Sequence, residues 1–267
     1  MNVATEKEME LNKEVKAVQH EPAKLALLEE MMKAGLALGK RGSKTHPRMR
    51  PFVFGARGGM EIIDLEETLV FLEKAVNFIK EKISKKATIL LVGTTPVVSG
   101  SVKETAQKLN LSFVTVRWLG GTLTNFKTIS KRIAYFKKLK SDKEAGRWDK
   151  YTKKEKLNFD RQIEKMNTMF SGLENMDNLP DAIFVIDVNK HIIVVREADR
   201  LRIPVIGVMN TDTNPELVAY PIPANDRSKQ SAEWILQQFE KAVNDGRKSA
   251  AEAVLSAQVP VQDKKAE

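Results

Sequence analysis

Three short stretches are apolar at almost every successive position: A-T-I-L-L-V-G from Ala87, A-I-F-V-I from Ala182 and I-P-V-I-G-V-M from Ile203. A strand with one wet face alternates apolar and polar residues, whereas a continuously apolar strand must be covered on both faces, as happens inside a parallel sheet. Helical periodicity fills the spaces between such runs. Asp64 opens the clearest helix, with Glu67 at the third position after it as in a capping arrangement and Leu65, Leu69, Leu72, Val76, Ile79 and Ile83 along one face. Further elements are expected as a helix from Ala23 to Ala34 with Leu25, Leu28, Met31 and Met32 on its apolar stripe, a short helix from Ser101, a strand at Phe113 to Val116, a helix from Lys190 to Leu201 and a last helix from Ser228 to Asp245. Phe52 to Phe54 and Ile62-Ile63 are short strand candidates. Strand and helix in alternation describe an α/β fold, a parallel sheet flanked by helices.

One segment breaks this alternation. Between Asn125 and Met176, Phe126, Ile129, Ile133 and Phe136 form one stripe, and Phe159, Ile163, Met166, Phe170 and Leu173 form another. A polar link, S-D-K-E-A-G-R-W-D-K-Y-T, separates them. Two such stripes backed by lysines predict an inserted antiparallel coiled-coil helical hairpin, an arm rather than part of the sheet. The expected organisation is an acidic N-terminal extension (1–30), an α/β domain (31–124 and 179–246), the arm (125–178) and a flexible C-terminal tail (247–267).

The net charge of +9 is unevenly placed. From Met31 to Arg57 there are seven cations and no acid, and from Lys127 to Asn178 there are 14 basic residues against 8 acidic ones. The first of these segments carries Gly35, Gly39, Gly42, Pro47, Pro51 and Gly55 and lacks regular periodicity, so it is expected to be a loop-rich strip able to follow a polyanion. Its cations beyond Lys33 are Lys40, Arg41, Lys44, Arg48, Arg50 and Arg57, and Arg117, Lys127, Lys131 and Arg132 extend the basic surface onto the arm.

Signatures of chemistry are sparse. With no cysteine, the chain has no disulfide, thiolate metal site or cysteine nucleophile. The three histidines, His20, His46 and His191, have no metal-ligand spacing, and no serine lies in a G-x-S-x-G elbow. V-G-T-T-P-V-V-S-G-S after the first apolar strand is neither G-x-G-x-x-G nor a P-loop. A competing reading, an enzyme binding a nucleotide or sugar phosphate, would use Gly93, Asp187 and Asp212 at the carboxyl ends of the strands, where aspartates serve more often as caps and turn residues. No metal, cofactor, small-molecule substrate or membrane span is expected. The N-terminus has neither a secretory nor a transit-peptide pattern, so a cytoplasmic location is expected.

R-W-L-G-G-T-L-T-N-F-K-T-I from Arg117 and P-R-M-R-P-F-V-F-G-A-R-G-G-M-E-I-I-D-L from Pro47 resemble the ribosomal protein S-two family, of the bacterial or organellar branch. L-P-D-A-I-F-V-I-D from Leu179, I-P-V-I-G-V-M-N-T-D-T-N-P from Ile203 and Y-P-I-P-A-N-D from Tyr220 continue the resemblance in order. It implies a Rossmann-like α/β domain with a coiled-coil arm, a non-enzymatic part of the small ribosomal subunit. It also implies contact with small-subunit rRNA between head and body and with neighbouring ribosomal proteins, and help in holding the messenger-binding protein S-one. The family's G-x-H-F-G-H is here Gly35 to Lys40, without either histidine, and Lys40 supplies a cation where a histidine usually stands. In the loop from Arg117, Gly120 and Gly121 permit tight turning, Thr124 or Asn125 can cap the arm's first helix, and Trp118 can anchor in the core or stack on a base.

Overall fold

The computed structural model describes residues 24–257. Helix α1 (24–33) leads into a small antiparallel sheet of β1 (Leu38–Arg41), β2 (Val53–Arg57) and β3 (Met60–Ile63), in the order β1-β3-β2. Helix α2 (Leu65–Ser84) follows. The main sheet has five parallel strands, β4 (Ile89–Val92), β5 (Ser112–Val114), β6 (Ala182–Ile186), β7 (Val205–Met209) and β8 (Tyr220–Pro223), in the order β5-β4-β6-β7-β8. Helices α3 (Pro96–Lys108), α6 (Ile192–Arg200) and α7 (Lys229–Ala257) complete the domain, and α4 (Phe126–Glu144) and α5 (Lys153–Phe170) are inserted between β5 and β6. This is a doubly wound, Rossmann-like arrangement, with the strand order reversing between β4 and β6.

The unbroken apolar runs have the explanation expected of them. All four residues of β4 and all five of β6 and β7 are buried, because their side chains feed two different cores. Ile89 and Leu91 pack with Phe184, Ile206 and the inner faces of α2, α3 and α7, while Leu90 and Val92 pack with Ile183, Val185, α6 and the arm. On α2, Leu69, Leu72, Ala75, Ile79 and Ile83 form the buried face. Each large side chain there contributes about 1.5–3 kcal/mol relative to leaving it in water. Asp64 caps the helix by accepting a hydrogen bond from the backbone N–H of Glu66 at 2.9 Å, so the Glu67 capping box is not formed.

Several boundaries differ from the sequence expectation. Helix α3 begins at Pro96 rather than Ser101, since proline at the first helical position forfeits only an N–H that has no partner there. The two-proline segment Tyr220–Pro223 is a strand because it lies at the sheet edge. Helix α7 runs through Ala257, well past Asp245, so the tail boundary drawn at residue 247 falls inside it. On α1 the stripe is rotated: Met31 is fully buried, but Leu25 and Met32 are exposed.

The basic strip also differs. It is not an irregular loop: β1, two 3-10 turns (Gly42–Lys44 and Pro47–Phe52) and β2 give it a fixed form. In the inserted segment, Lys143 of α4 pairs with Asp160 of α5 at 2.7 Å, and Lys140 pairs with Glu174, just past α5, at 2.6 Å. The link between the two helices is not simply polar, because Trp148 is buried against Phe159 with ring centroids 5.1 Å apart.

Candidate nucleic-acid interface

The small sheet is seated on the carboxyl ends of the main strands. Lys40 donates its backbone N–H to Thr211 Oγ1 at 3.0 Å, and its ammonium pairs with Asp212 just beyond β7. His46 donates its backbone N–H to the Thr211 carbonyl at 2.8 Å, and Asn225 Nδ2 donates to the Gly35 carbonyl at 3.1 Å. Lys40 is therefore an internal cation, its side chain only 12% exposed, rather than a surface one. Burial by itself would raise the Asp212 carboxyl, but the Lys40 ammonium and the Asn189 amide together hold it below the usual range.

Around this anchor the other strip cations point outward. Met49 is fully buried and pins the 3-10 turn, which leaves Arg48 and Arg50 on either side of it in solvent. Arg48 pairs with Glu216. Arg41, Lys44, Arg50 and Arg57 are exposed, and among the described residues no carboxylate lies within 4.0 Å of them.

The second basic group starts at the loop after β5. The loop curls around one carboxylate, Glu197 of α6, which is 7% exposed. Glu197 Oε1 accepts hydrogen bonds from the Trp118 indole at 3.1 Å and the Gly121 N–H at 2.8 Å. Its Oε2 accepts from the Leu123 N–H at 3.0 Å, the Thr124 N–H at 3.2 Å and the Thr124 hydroxyl at 3.3 Å. Desolvation alone would raise the Glu197 carboxyl, but these donors outweigh it and the net shift is downward.

Gly121 has φ +88°, a left-handed conformation that ordinary side chains avoid, whereas Gly120 is exposed with open space around it. Trp118 is half-buried and committed to Glu197, so it is the core-anchoring alternative that the structure supports. Thr124 is spent on Glu197, and Asn125 occupies the N-cap position of α4 without capping it; its Oδ1 instead accepts from the Thr128 hydroxyl at 2.7 Å.

From this ordered loop, Arg117 and the exposed side of α4 present Lys127, Lys131 and Arg132, while Ile129, Ile133 and Phe136 face inward. Among the described residues these four cations have no carboxylate within 4.0 Å, whereas further along the helix Lys137, Lys140 and Lys143 are paired with Asp177, Glu174 and Asp160. Three of the unneutralised cations of α4 thus fall within its first seven residues, with Lys138 a fourth further along.

The residues of the competing enzyme reading are occupied by architecture. A Cβ on Gly93 would come within 2.8 Å of Val102 Cγ2, so this glycine lets α3 close on β4. Asp187 is 6% exposed and accepts from the Lys190 N–H at 3.0 Å and the Thr95 hydroxyl at 3.3 Å. Asp212 is taken by Lys40 and Asn189.

Glu197 and Met49 were absent from the sequence-derived site. Glu197 left a signal: it falls three residues after Val194 and one before Ala198, on the buried face of α6. A carboxylate in that position has to be matched by donors from elsewhere in the chain. Met49 left none, because a single apolar residue between two arginines has no period.

Residues 31–246 match the family described as ribosomal protein S2. A relative named small ribosomal subunit protein uS2, from Dictyoglomus turgidum (strain DSM 6724 / Z-1310), is 38% identical over 221 residues, covering 83% of this chain and 90% of the relative. With a match running from the end of α1 into the last helix, the chain belongs to the ribosomal protein S2 family, structural and non-enzymatic constituents of the small ribosomal subunit.

Proposed function

We propose that the chain binds small-subunit rRNA between head and body, chiefly through backbone phosphates and RNA shape, as part of a bacterial ribosome in the cytoplasm. The observation that carries this reading is that eight exposed cations which, among the described residues, have no carboxylate within 4.0 Å fall into two groups, Arg41, Lys44, Arg50 and Arg57 on and beside the small sheet, and Arg117, Lys127, Lys131 and Arg132 around the start of α4. Both groups are held on ordered backbone, so little conformational freedom is lost when a rigid RNA surface docks. Lys40 is not part of the set, since its charge is already matched inside the protein.

If about six of these cations each displace a counterion, the logarithm of the binding constant should fall with the logarithm of salt concentration with a slope of roughly −4 to −5. Sedimentation of a lysate tests the reading directly: the chain should travel with small subunits at low salt, and finding it free there would refute the proposal. The same reading includes contacts with neighbouring ribosomal proteins and a part in holding the messenger-binding protein S-one. Subunits stripped of this chain should then retain less S-one, and unchanged retention would remove that part alone.

A further inference from the structure

In the small sheet β2 is an edge strand, and its register against β3 is irregular. Val53 pairs with Ile63, but Gly55 pairs with Ile62, so Phe54 is the extra residue of a β-bulge. A bulge interrupts the alternation of side chains and re-aims the residue that it contains. The outcome here is a phenyl ring 79% exposed, the most exposed large apolar side chain among the described residues. Phe52, two positions earlier, takes the opposite fate and packs edge-on against Phe71 with centroids 5.2 Å apart. Along the chain the exposed ring is flanked by two exposed cations, Arg50 four residues before it and Arg57 three residues after it, neither with a carboxylate within 4.0 Å among the described residues.

We propose that Phe54 is a stacking platform for an unpaired base of the rRNA, with Arg50 and Arg57 neutralising the phosphates on either side of that nucleotide. The proposal rests on the RNA-binding reading above and assigns one nucleotide contact within it. An aromatic face offered from a fixed strand amid unpaired cations complements a splayed nucleotide, whose base supplies a flat π-surface and whose backbone supplies the negative charge. A protein strand added at the β2 edge fits less well, because the bulge breaks the ladder that such a strand would extend. An acidic protein surface would be attracted to the arginines but has no use for an exposed ring.

The test uses the full chain and purified small-subunit rRNA in a salt series, comparing wild type with Phe54→Leu, Phe54→Tyr and Arg57→Ala, after thermal melts show that all four fold alike. Leucine keeps apolar area and removes the π-face. Phe54→Leu should weaken binding about ten- to hundred-fold with an unchanged salt slope, Phe54→Tyr should bind as wild type, and Arg57→Ala should make the slope shallower by about one. If Phe54→Leu binds RNA as tightly as a wild type that itself binds, stacking is overturned and the RNA reading stands. If the wild type fails to bind the rRNA at all, the underlying reading falls as well. If Phe54→Leu keeps its RNA affinity but is depleted from assembled subunits, the ring belongs to a protein neighbour and the proposal is overturned.

Discussion

Glu197 holds together the loop that launches the arm, and its replacement should be felt in a particular way. The carboxylate accepts five hydrogen bonds, from the Trp118 indole, the N–H groups of Gly121, Leu123 and Thr124, and the Thr124 hydroxyl. A hydrogen bond to a charged group is worth about 1.5–3 kcal/mol, but the loop can relax and admit water, so the five do not add. Glu197→Ala should therefore cost about 3–5 kcal/mol in all, a large part of the ~5–15 kcal/mol that holds a domain folded. Glu197→Gln keeps one acceptor oxygen but turns an amide N–H2 toward donors, and should cost somewhat less, about 2–4 kcal/mol. For a chain of this size the alanine variant should lose on the order of 10 °C in melting temperature at neutral pH.

Hydrogen exchange sharpens the test, because protection at Gly121, Leu123 and Thr124 should fall more than protection in β6 or β7. The pH dependence has a definite sign. The Glu197 carboxyl is lowered in the folded protein from 4.5, so its contribution is complete above that value and is lost as pH falls through the folded value. The gap between wild type and Glu197→Gln should close in acid. An alanine variant that melts within about 2 °C of wild type, with loop amides still protected, would refute the claim that Glu197 organises this loop.

Other perturbations should separate architecture from binding. Asp226 is fully buried, with no hydrogen-bond partner for Oδ2 among the described residues, and burial together with the Asp187 charge raises its carboxyl from 3.8 to about 6. Its ionised form thus costs stability increasingly as pH rises from about 4 and fully above about 6, so Asp226→Asn should raise the melting temperature at neutral pH, by about 1–3 kcal/mol in stability, with the gain shrinking as pH falls below 6 and vanishing only below about pH 4. Lys40→Met should destabilise the protein by about 2–3 kcal/mol by stranding Asp212, without changing the salt slope of RNA binding. Charge reversal at Arg48 and Arg50 should reduce incorporation into subunits more than reversal at Lys264 and Lys265, which lie outside the described residues; equal losses would contradict the assignment of the basic surface. Leu72→Ala, on the inner face of α2, should cost about 2–5 kcal/mol in chemical denaturation and leave the salt slope untouched.

What could be read from the sequence followed the strength of each local pattern. β4, β6 and β7 were legible because both of their faces are apolar, and α2 because its stripe runs for 20 residues. β1 was not, since L-G-K-R has no apolar alternation and becomes a strand only by pairing with β3 and docking on Thr211 and Asp212. Tertiary context likewise decided β8, whose prolines argue against a strand until its edge position is known. In the site, the cations were legible as a charge excess, but their division into working and committed ones was not. Nothing in the spacing says that Lys40 meets Asp212 across 172 positions while Arg41 beside it stays free in solvent.

The partners of α2 impose a schedule on how this chain can be made. Its inner face packs on α7 and β8, the last two elements of the fold, so a nascent chain that has completed α2 must add about 145 residues before Lys229 begins the helix that covers it. At roughly 5–20 residues per second, that stripe of leucines and isoleucines waits on the order of ten seconds for its cover. During that interval Leu69, Leu72 and Ile79 are available to any apolar surface within reach. A chaperone that binds the growing chain would find its best grip there, and slower translation between β4 and β8 would lengthen the period in which the unfinished domain is prone to stick to its neighbours.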